Sequence, residues 1–202
     1  MTRNDYYKDK ELQTIASCQR NFDVTRDIDT ELKLVLDEWI GKPPEQCGEL
    51  RFNIIQIHNQ GCQLHLSKIL SPYEEVTWNI EQPQVIANVT YVWTVPNQTW
   101  FNKKELDWNP ELSCFHIGFH AGLITKKVSE LGLVTGFTQC GPVNKNVWQD
   151  FKTKWNIDSE KHDKFGFALG VGYPLKDKPY YWQYSFGDHV HCVPEFPKVD
   201  II

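Results

Sequence analysis

The stretch from Cys114 to Leu131 constrains this chain more than any other. Its pattern is that of a long helix closed at Gly132, yet its apolar residues are not confined to one stripe. A helix that is apolar on more than one side has to be covered on more than one side. It is therefore expected to be central rather than peripheral. One small domain has too little surface to cover it alone, so a homodimer built partly on this helix is expected.

The remaining pattern interleaves helices and strands without a strict βα repeat. Ile28, Leu32, Val35, Leu36, Trp39 and Ile40 share one helical face, with Thr25 or Asp27 as cap and Gly41, Pro43 and Pro44 as stop. Leu50 to His58 reads as a strand, with Asn59 to Gly61 as a turn. Val85 to Val95 reads as a largely buried strand ended by Pro96 and Asn97. Leu133 to Thr138 is a short apolar segment running into a turn at Cys140-Gly141-Pro142. Val147, Phe151 and Trp155 mark a further helix, and Phe165 to Tyr173 a strand with three glycines, where a close backbone approach is expected. This order points to an α+β sandwich, a mixed sheet covered by helices. With 202 residues and neither repeat nor low-complexity linker, one continuous domain over 1–202 is the simplest organisation.

Composition narrows the functions. With 41 % hydrophobic and 23 % charged residues the chain is not of the disordered class. Lys and Arg number 21 against 26 Asp and Glu, a net charge of −5, which excludes nucleic-acid binding by a basic surplus. No run approaches the roughly 18 apolar residues of a membrane span. Met1 to Glu11 is too polar for a secretory signal, so a cytoplasmic location is expected and the sequons at Asn88 and Asn97 are expected to be unused. The cysteines at 18, 47, 62, 114, 140 and 192 form no CxxC pair and read as free thiols.

Few motifs carry chemistry on their own. His116 and His120 stand at i, i+4 on the long helix. They are either packing or interface histidines or two ligands of a zinc ion completed by His189, His191 or Cys192. Packing is the reading adopted, with no metal assigned. GxSxG, GxGxxG and GxxxxGK[ST] are absent, and Gly170-Val171-Gly172-Tyr173-Pro174 ends a strand instead of opening a helix. Four tryptophans, Trp78, Trp93, Trp100 and Trp108, fall between Tyr73 and Trp108. They either fill a core or stack on a planar substrate.

Several segments, taken in order, resemble the FMN-dependent nitroreductase family. They are Gln19-Arg20-Asn21-Phe22-Asp23 before the first helix, and Pro43-Pro44-Glu45-Gln46-Cys47-Gly48 before the strand at Leu50. Asn79-Ile80-Glu81-Gln82-Pro83-Gln84-Val85-Ile86-Ala87 follows. His116-Ile117-Gly118 then opens a helix ending Leu131-Gly132-Leu133, and Gly170-Val171-Gly172-Tyr173-Pro174 completes the series. Together they cover residues 16 to 178.

The resemblance implies a homodimeric three-layer α+β sandwich, its sheet mainly antiparallel, with FMN in clefts made by both subunits. It implies a ping-pong oxidoreductase in which NAD(P)H is the donor and a nitroaromatic, quinone-like or other small planar molecule the acceptor. Specialised relatives that oxidise or cleave a particular metabolite or flavin, or a non-catalytic flavin-binding dimer, are the alternatives. The flavin carries the chemistry; the protein binds and tunes it.

By position, Arg20 would clamp the phosphate with Ser17 and Cys18 as polar partners, and Lys176 and Lys178 would close that site. Gln46 would reach the ring edge, and Asn79 and Gln82 the ribityl chain and ring pyrimidine. Backbone N–H groups at Gln139 or Cys140 would approach N5. The chain departs from the family pattern at Ala16, Cys18, Gln46 and His116, which stand where the family has a basic residue, Ser, Asn and Asp.

Overall fold

The computed structural model describes residues 22–42, 51–70, 82–138, 141–142 and 144–174. Its elements run α1 (Thr30–Gly41), β1 (Asn53–Ile57), α2 (Gln60–Ile69), a 3-10 turn (Pro83–Val85), β2 (Val89–Val95), α3 (Gln98–Lys103), α4 (Pro110–Glu130), β3 (Val134–Thr138), α5 (Lys145–Lys154) and β4 (Lys164–Gly172).

The four strands form one sheet in the order β1-β2-β4-β3. All three pairings are antiparallel, with Ile54 opposite Trp93, Tyr91 opposite Leu169 and Phe137 opposite Leu169 from the other side. Strand β2 is buried at every position, as its unbroken apolar run requires of a central strand. Side chains alternate across it. Val89, Tyr91, Trp93 and Val95 pack with Leu36 of α1 and with Ile117, Ala121, Ile124 and Val128 of α4. Val92 points the other way, into a second cluster with Leu66 and Ile69 of α2 and Trp148 and Phe151 of α5. The sheet is thus the middle of three layers, α1 and α4 on one face and α2 and α5 on the other. The expected α+β sandwich is present, and among the described residues its sheet is wholly antiparallel.

Four helices begin alike. Asn59, Asn97, Asn109 and Asn144 each accept a hydrogen bond from the backbone N–H three residues on, at Cys62, Trp100, Leu112 and Val147. An asparagine there satisfies one of the four donors a helix start leaves open. This corrects one expectation and extends another, since Pro96 and Asn97 do end the strand at Val95. Asn59 starts helix α2 instead of a turn, and Asn97 starts the short helix α3 directly after β2. The long helix α4 opens four residues before Cys114, because Asn109 caps it and Pro110 occupies its first position, where no N–H is needed. It ends as expected: Gly132 takes φ +71°, a left-handed conformation that suits glycine, and Leu133 N–H bonds back to Val128 O.

Helix α4 has two apolar faces. The inner one carries Ile117, Ala121, Ile124 and Val128 and is buried against the sheet. The outer one carries Phe115, Phe119 and Leu123, which are 66 %, 40 % and 37 % exposed. Gly118 and Gly122 lie between them, with open space where a Cβ would stand.

Candidate functional site

Two chain junctions organise the site. At the first, Phe22 and Pro174 form an isolated antiparallel bridge. Asp23 N–H donates to Tyr173 O at 2.8 Å. Asn88 knits the two segments together: its Nδ2 donates to Asp23 O at 2.8 Å and to Arg26 O, and its Oδ1 accepts from Tyr173 N–H at 3.1 Å. The Arg26 guanidinium stacks 3.4 Å from the centre of the Tyr173 ring, and the Tyr173 hydroxyl donates to Asp29 at 3.1 Å. In sequence, Arg20 lies two residues before this bridge, and Lys176 and Lys178 two and four residues after it. Those three residues, with Ser17 and Cys18, fall outside the described residues.

At the second junction, Leu70 at the end of α2 bridges Pro142. Gln82 N–H donates to Ser67 O on the last turn of α2 at 3.0 Å. The Pro83–Val85 turn is thereby fastened to α2 beside the loop that follows β3. Of the predicted ring-facing residues, Gln82 is described and Gln46, Asn79, Gln139 and Cys140 lie outside the described residues. Gln82 is buried, and its Oε1 accepts from Gln84 Nε2 at 2.5 Å. On α2 and this turn, three buried polar atoms have no hydrogen-bond partner among the described residues: Gln63 Oε1, Ser67 Oγ and Gln84 Oε1. Sealed polar atoms of this kind are scarce in proteins and destabilising unless something bonds them. Their number here marks the α2–turn junction as polar ground.

The expected close approach at the β4 glycines is present, and the protein itself makes it. A Cβ on Gly170 would lie 2.1 Å from Gln84 O, and one on Gly172 would lie 1.7 Å from Asn88 Oδ1. These two glycines admit the 3-10 turn and the Asn88 clasp. Of the two sequon asparagines, Asn88 has its Nδ2 engaged in the clasp, and Asn97 caps a helix through its Oδ1.

The histidine pair separates into two environments. His120 is buried on the inner face of α4, where its Nδ1 accepts from Trp93 Nε1 at 3.0 Å and its Nε2 bonds Lys42 O at 3.2 Å. With Nδ1 accepting, Nε2 carries the proton, so both nitrogens are engaged and neither is a metal ligand. Burial lowers its pKa below the usual histidine range. The His116 pKa is also lowered, by burial first and then by the Arg51 charge, and its buried Nδ1 has no partner among the described residues. Among the described residues no three His, Cys, Asp or Glu side chains cluster as metal ligands. His120 thus packs in the core with both ring nitrogens bonded, while His189, His191 and Cys192 lie outside the described residues.

The tryptophans also disperse. Trp93 fills the core between Tyr91, His120 and Phe167, while Trp100 meets Phe101 edge to face. Trp108 is exposed, with Lys164 Nζ 5.3 Å from its ring. Trp78 lies outside the described residues. Of the described cysteines, Cys62 is a buried thiol that burial pushes up to about 11, and Cys114 is exposed on the outer face of α4. Sequence reasoning missed Gln84 and Asn88 as organising residues. The tight spacing of Gly170 and Gly172 was their signal, since it told that something presses on that strand.

No protein-family profile matches the sequence, and no curated protein does. Solved structures do. A nitroreductase family protein from Clostridium novyi NT superposes with a TM-score of 0.59 at 13 % identity, covering 88 % of this chain and 87 % of that one. A nitroreductase with bound FMN from Bacteroides fragilis NCTC 9343 gives 0.61 at 11 % identity, over 92 % of this chain and 100 % of the other. A nitroreductase-like protein from Streptococcus mutans gives 0.57 at 15 %, over 96 % and 100 %. The chain has the nitroreductase fold. No helix among the described residues is long and apolar enough to cross a membrane.

Proposed function

We propose that this chain is an FMN-dependent oxidoreductase, a divergent nitroreductase-like protein that works as a cytoplasmic homodimer of one domain per subunit. NAD(P)H is the donor and a nitroaromatic, quinone-like or other small planar molecule the acceptor. The observation that carries the reading is the convergence of the relevant segments on a nitroreductase fold. The Phe22–Pro174 bridge joins the stretch that carries Arg20 to the stretch that carries Lys176 and Lys178. The Leu70–Pro142 bridge and the Gln82–Ser67 hydrogen bond join the stretches that carry Asn79, Gln82, Gln139 and Cys140. Arg20, Lys176 and Lys178 would make a basic end for the phosphate of FMN, and Asn79, Gln82, Gln139 and Cys140 would make a polar end for its ring. The open donor of Gln82 is the described group that fits it most directly.

Bound FMN would supply two-electron transfer between donor and acceptor in a ping-pong cycle. The residues of the chain do the rest. Arg20, Ser17, Cys18, Lys176 and Lys178 would hold the phosphate by charge-assisted hydrogen bonds. Asn79 and Gln82 would orient the ribityl chain and pyrimidine, Gln46 would border the ring, and the 139–140 backbone would offer an N–H beside N5.

The outer face of α4 supports the dimer. Phe115, Phe119 and Leu123 follow one another at i, i+4 and i+8 with the notches of Gly118 and Gly122 between them, a surface a second copy would cover.

A fluorescence titration of apoprotein with FMN tests the reading. Saturable quenching is expected, and Arg20→Ala is expected to weaken it by about 1.5–3 kcal/mol, the scale of a hydrogen bond to a charged group. No binding by the wild type would refute the proposal.

A further inference from the structure

The backbones of Gln82 and Gln84 are pinned. Gln82 N–H is tied to Ser67 O at 3.0 Å, its carbonyl accepts from Val85 N–H at 3.2 Å, and Pro83 fixes the bond between them. The Gln84 carbonyl sits against Gly170, so closely that no Cβ would fit there. What remains free in this pair is which way each carboxamide faces.

A carboxamide presents an acceptor oxygen on one side and an NH2 donor on the other. Here Gln84 Nε2 donates to Gln82 Oε1 at 2.5 Å. Among the described residues Gln82 Nε2 makes no hydrogen bond, whereas Gln84 Oε1 is sealed and has no partner there. Gln84 is 3 % exposed and Gln82 8 %. The pair has one alternative, in which both amides turn over. Gln82 would then show its oxygen, and the sealed atom would be the Gln84 nitrogen with its N–H groups. Buried orphan N–H groups are rarer in proteins than under-satisfied carbonyl oxygens, which favours the arrangement observed.

We propose that Gln84 is a positioning residue that locks Gln82 in a donor-outward state, so that Gln82 offers only N–H groups to the ring pyrimidine of a bound flavin. This rests on the FMN reading above. The pyrimidine edge carries carbonyl and imine acceptors, and it becomes more negative when the ring is reduced. A neutral donor held there favours the reduced form over the oxidised one. An outward oxygen would do the reverse.

The test is the midpoint potential of bound FMN in wild type, Gln84→Glu and Gln84→Met. A carboxylate only accepts, so at pH 8 Gln84→Glu turns the Gln82 NH2 inward and its oxygen outward. The ratio of reduced to oxidised affinity is then expected to fall about tenfold, which is about 30 mV for a two-electron couple. At pH 5 the buried acid is protonated and donates as the amide did, so the difference from wild type is expected to vanish. Gln84→Met leaves Gln82 unlocked and is expected to lower the ratio by a smaller factor that does not change with pH; it reads the proposal even where the Glu variant fails to fold. On a Gln82→Ala background neither change should move the potential further. A merely structural role would weaken both redox states alike and leave the potential in place, and that result would overturn the proposal. A wild type that binds no FMN would instead overturn the reading beneath it. In the flavin-free protein, the side-chain amide signal of Gln82 in a 15N spectrum is expected to move between wild type and Gln84→Glu.

Discussion

The two faces of helix α4 are made of similar residues and have opposite fates. The inner face packs Ile117, Ala121, Ile124 and Val128 into the sheet and locks His120 between Trp93 and Lys42 O. The outer face leaves Phe115, Phe119 and Leu123 exposed beside two glycines. Apolar content alone does not distinguish the faces; what distinguishes them is whether a partner is in the same chain. The inner face is a property of the monomer and should answer to stability measurements. The outer one belongs to the proposed dimer and should answer to concentration.

The largest effect is expected where the inner face meets the sheet. Trp93 is fully buried and is the hydrogen-bond donor to His120. Trp93→Ala should cost about 3–5 kcal/mol in urea unfolding, as cavities of that size do. A loss under about 1 kcal/mol would mean that this core is not packed as described.

Acid tests the same contrast next. A histidine whose folded pKa is depressed is protonated more readily in the unfolded chain, so stability falls as pH drops below the unfolded value of about 6.5. His120 shares this direction. On the opposite face of the sheet, His162 is lowered to about 4, chiefly by burial and then by the Lys161 charge. Its Nδ1 lies 2.7 Å from the Thr94 hydroxyl, which itself donates to Asn53 O at 3.2 Å. About 3 kcal/mol should therefore be lost between pH 6.5 and 4 through His162 alone. Unfolding free energies of wild type and His162→Gln across that window check it, and parallel curves would contradict it.

A smaller effect is expected at the start of α4, which holds both faces in register. Asn109→Ala removes the cap on Leu112 N–H and should cost about 1 kcal/mol. Thermal unfolding reads it, and an unchanged midpoint would remove the cap from the account.

The smallest effect on the monomer is expected from the outer face. Phe119→Ser with Leu123→Ser should change the unfolding free energy of the dilute chain by less than about 0.5 kcal/mol, as exposed substitutions do. The same pair should abolish association at micromolar concentration in light scattering. A large loss of monomer stability with association intact would reverse the assignment of the faces.

How much of this was legible in the sequence follows the same division. Strand β2 and helix α4 were legible because long apolar runs have few places to go, and the end of α4 because Gly132 serves the left-handed cap. Helix α2 was not, because Asn59-Gln60-Gly61 reads as a turn and buried Gln63 and Ser67 interrupt its apolar period. The same asparagine that suggests a turn is a helix cap when its side chain reaches forward to Cys62 N–H. Within the candidate site, Gln82 was proposed from its motif, and the structure shows it buried and bonded to Ser67 and Gln84. The placement of Gln84 was not legible, because it depends on Gly170, 86 residues away in sequence, admitting the turn against β4. His116 and His120 look equivalent at i, i+4, and what separates them is the partners of each ring, Trp93 and Lys42 for one and, among the described residues, none at Nδ1 for the other.

The measurement that tests the central claim most directly is sedimentation velocity of the FMN-saturated protein, followed at the flavin absorbance. The account predicts flavin travelling with a species of twice 23.7 kDa, one FMN per chain. Flavin left at the meniscus while the protein sediments as a single 23.7 kDa chain would contradict it.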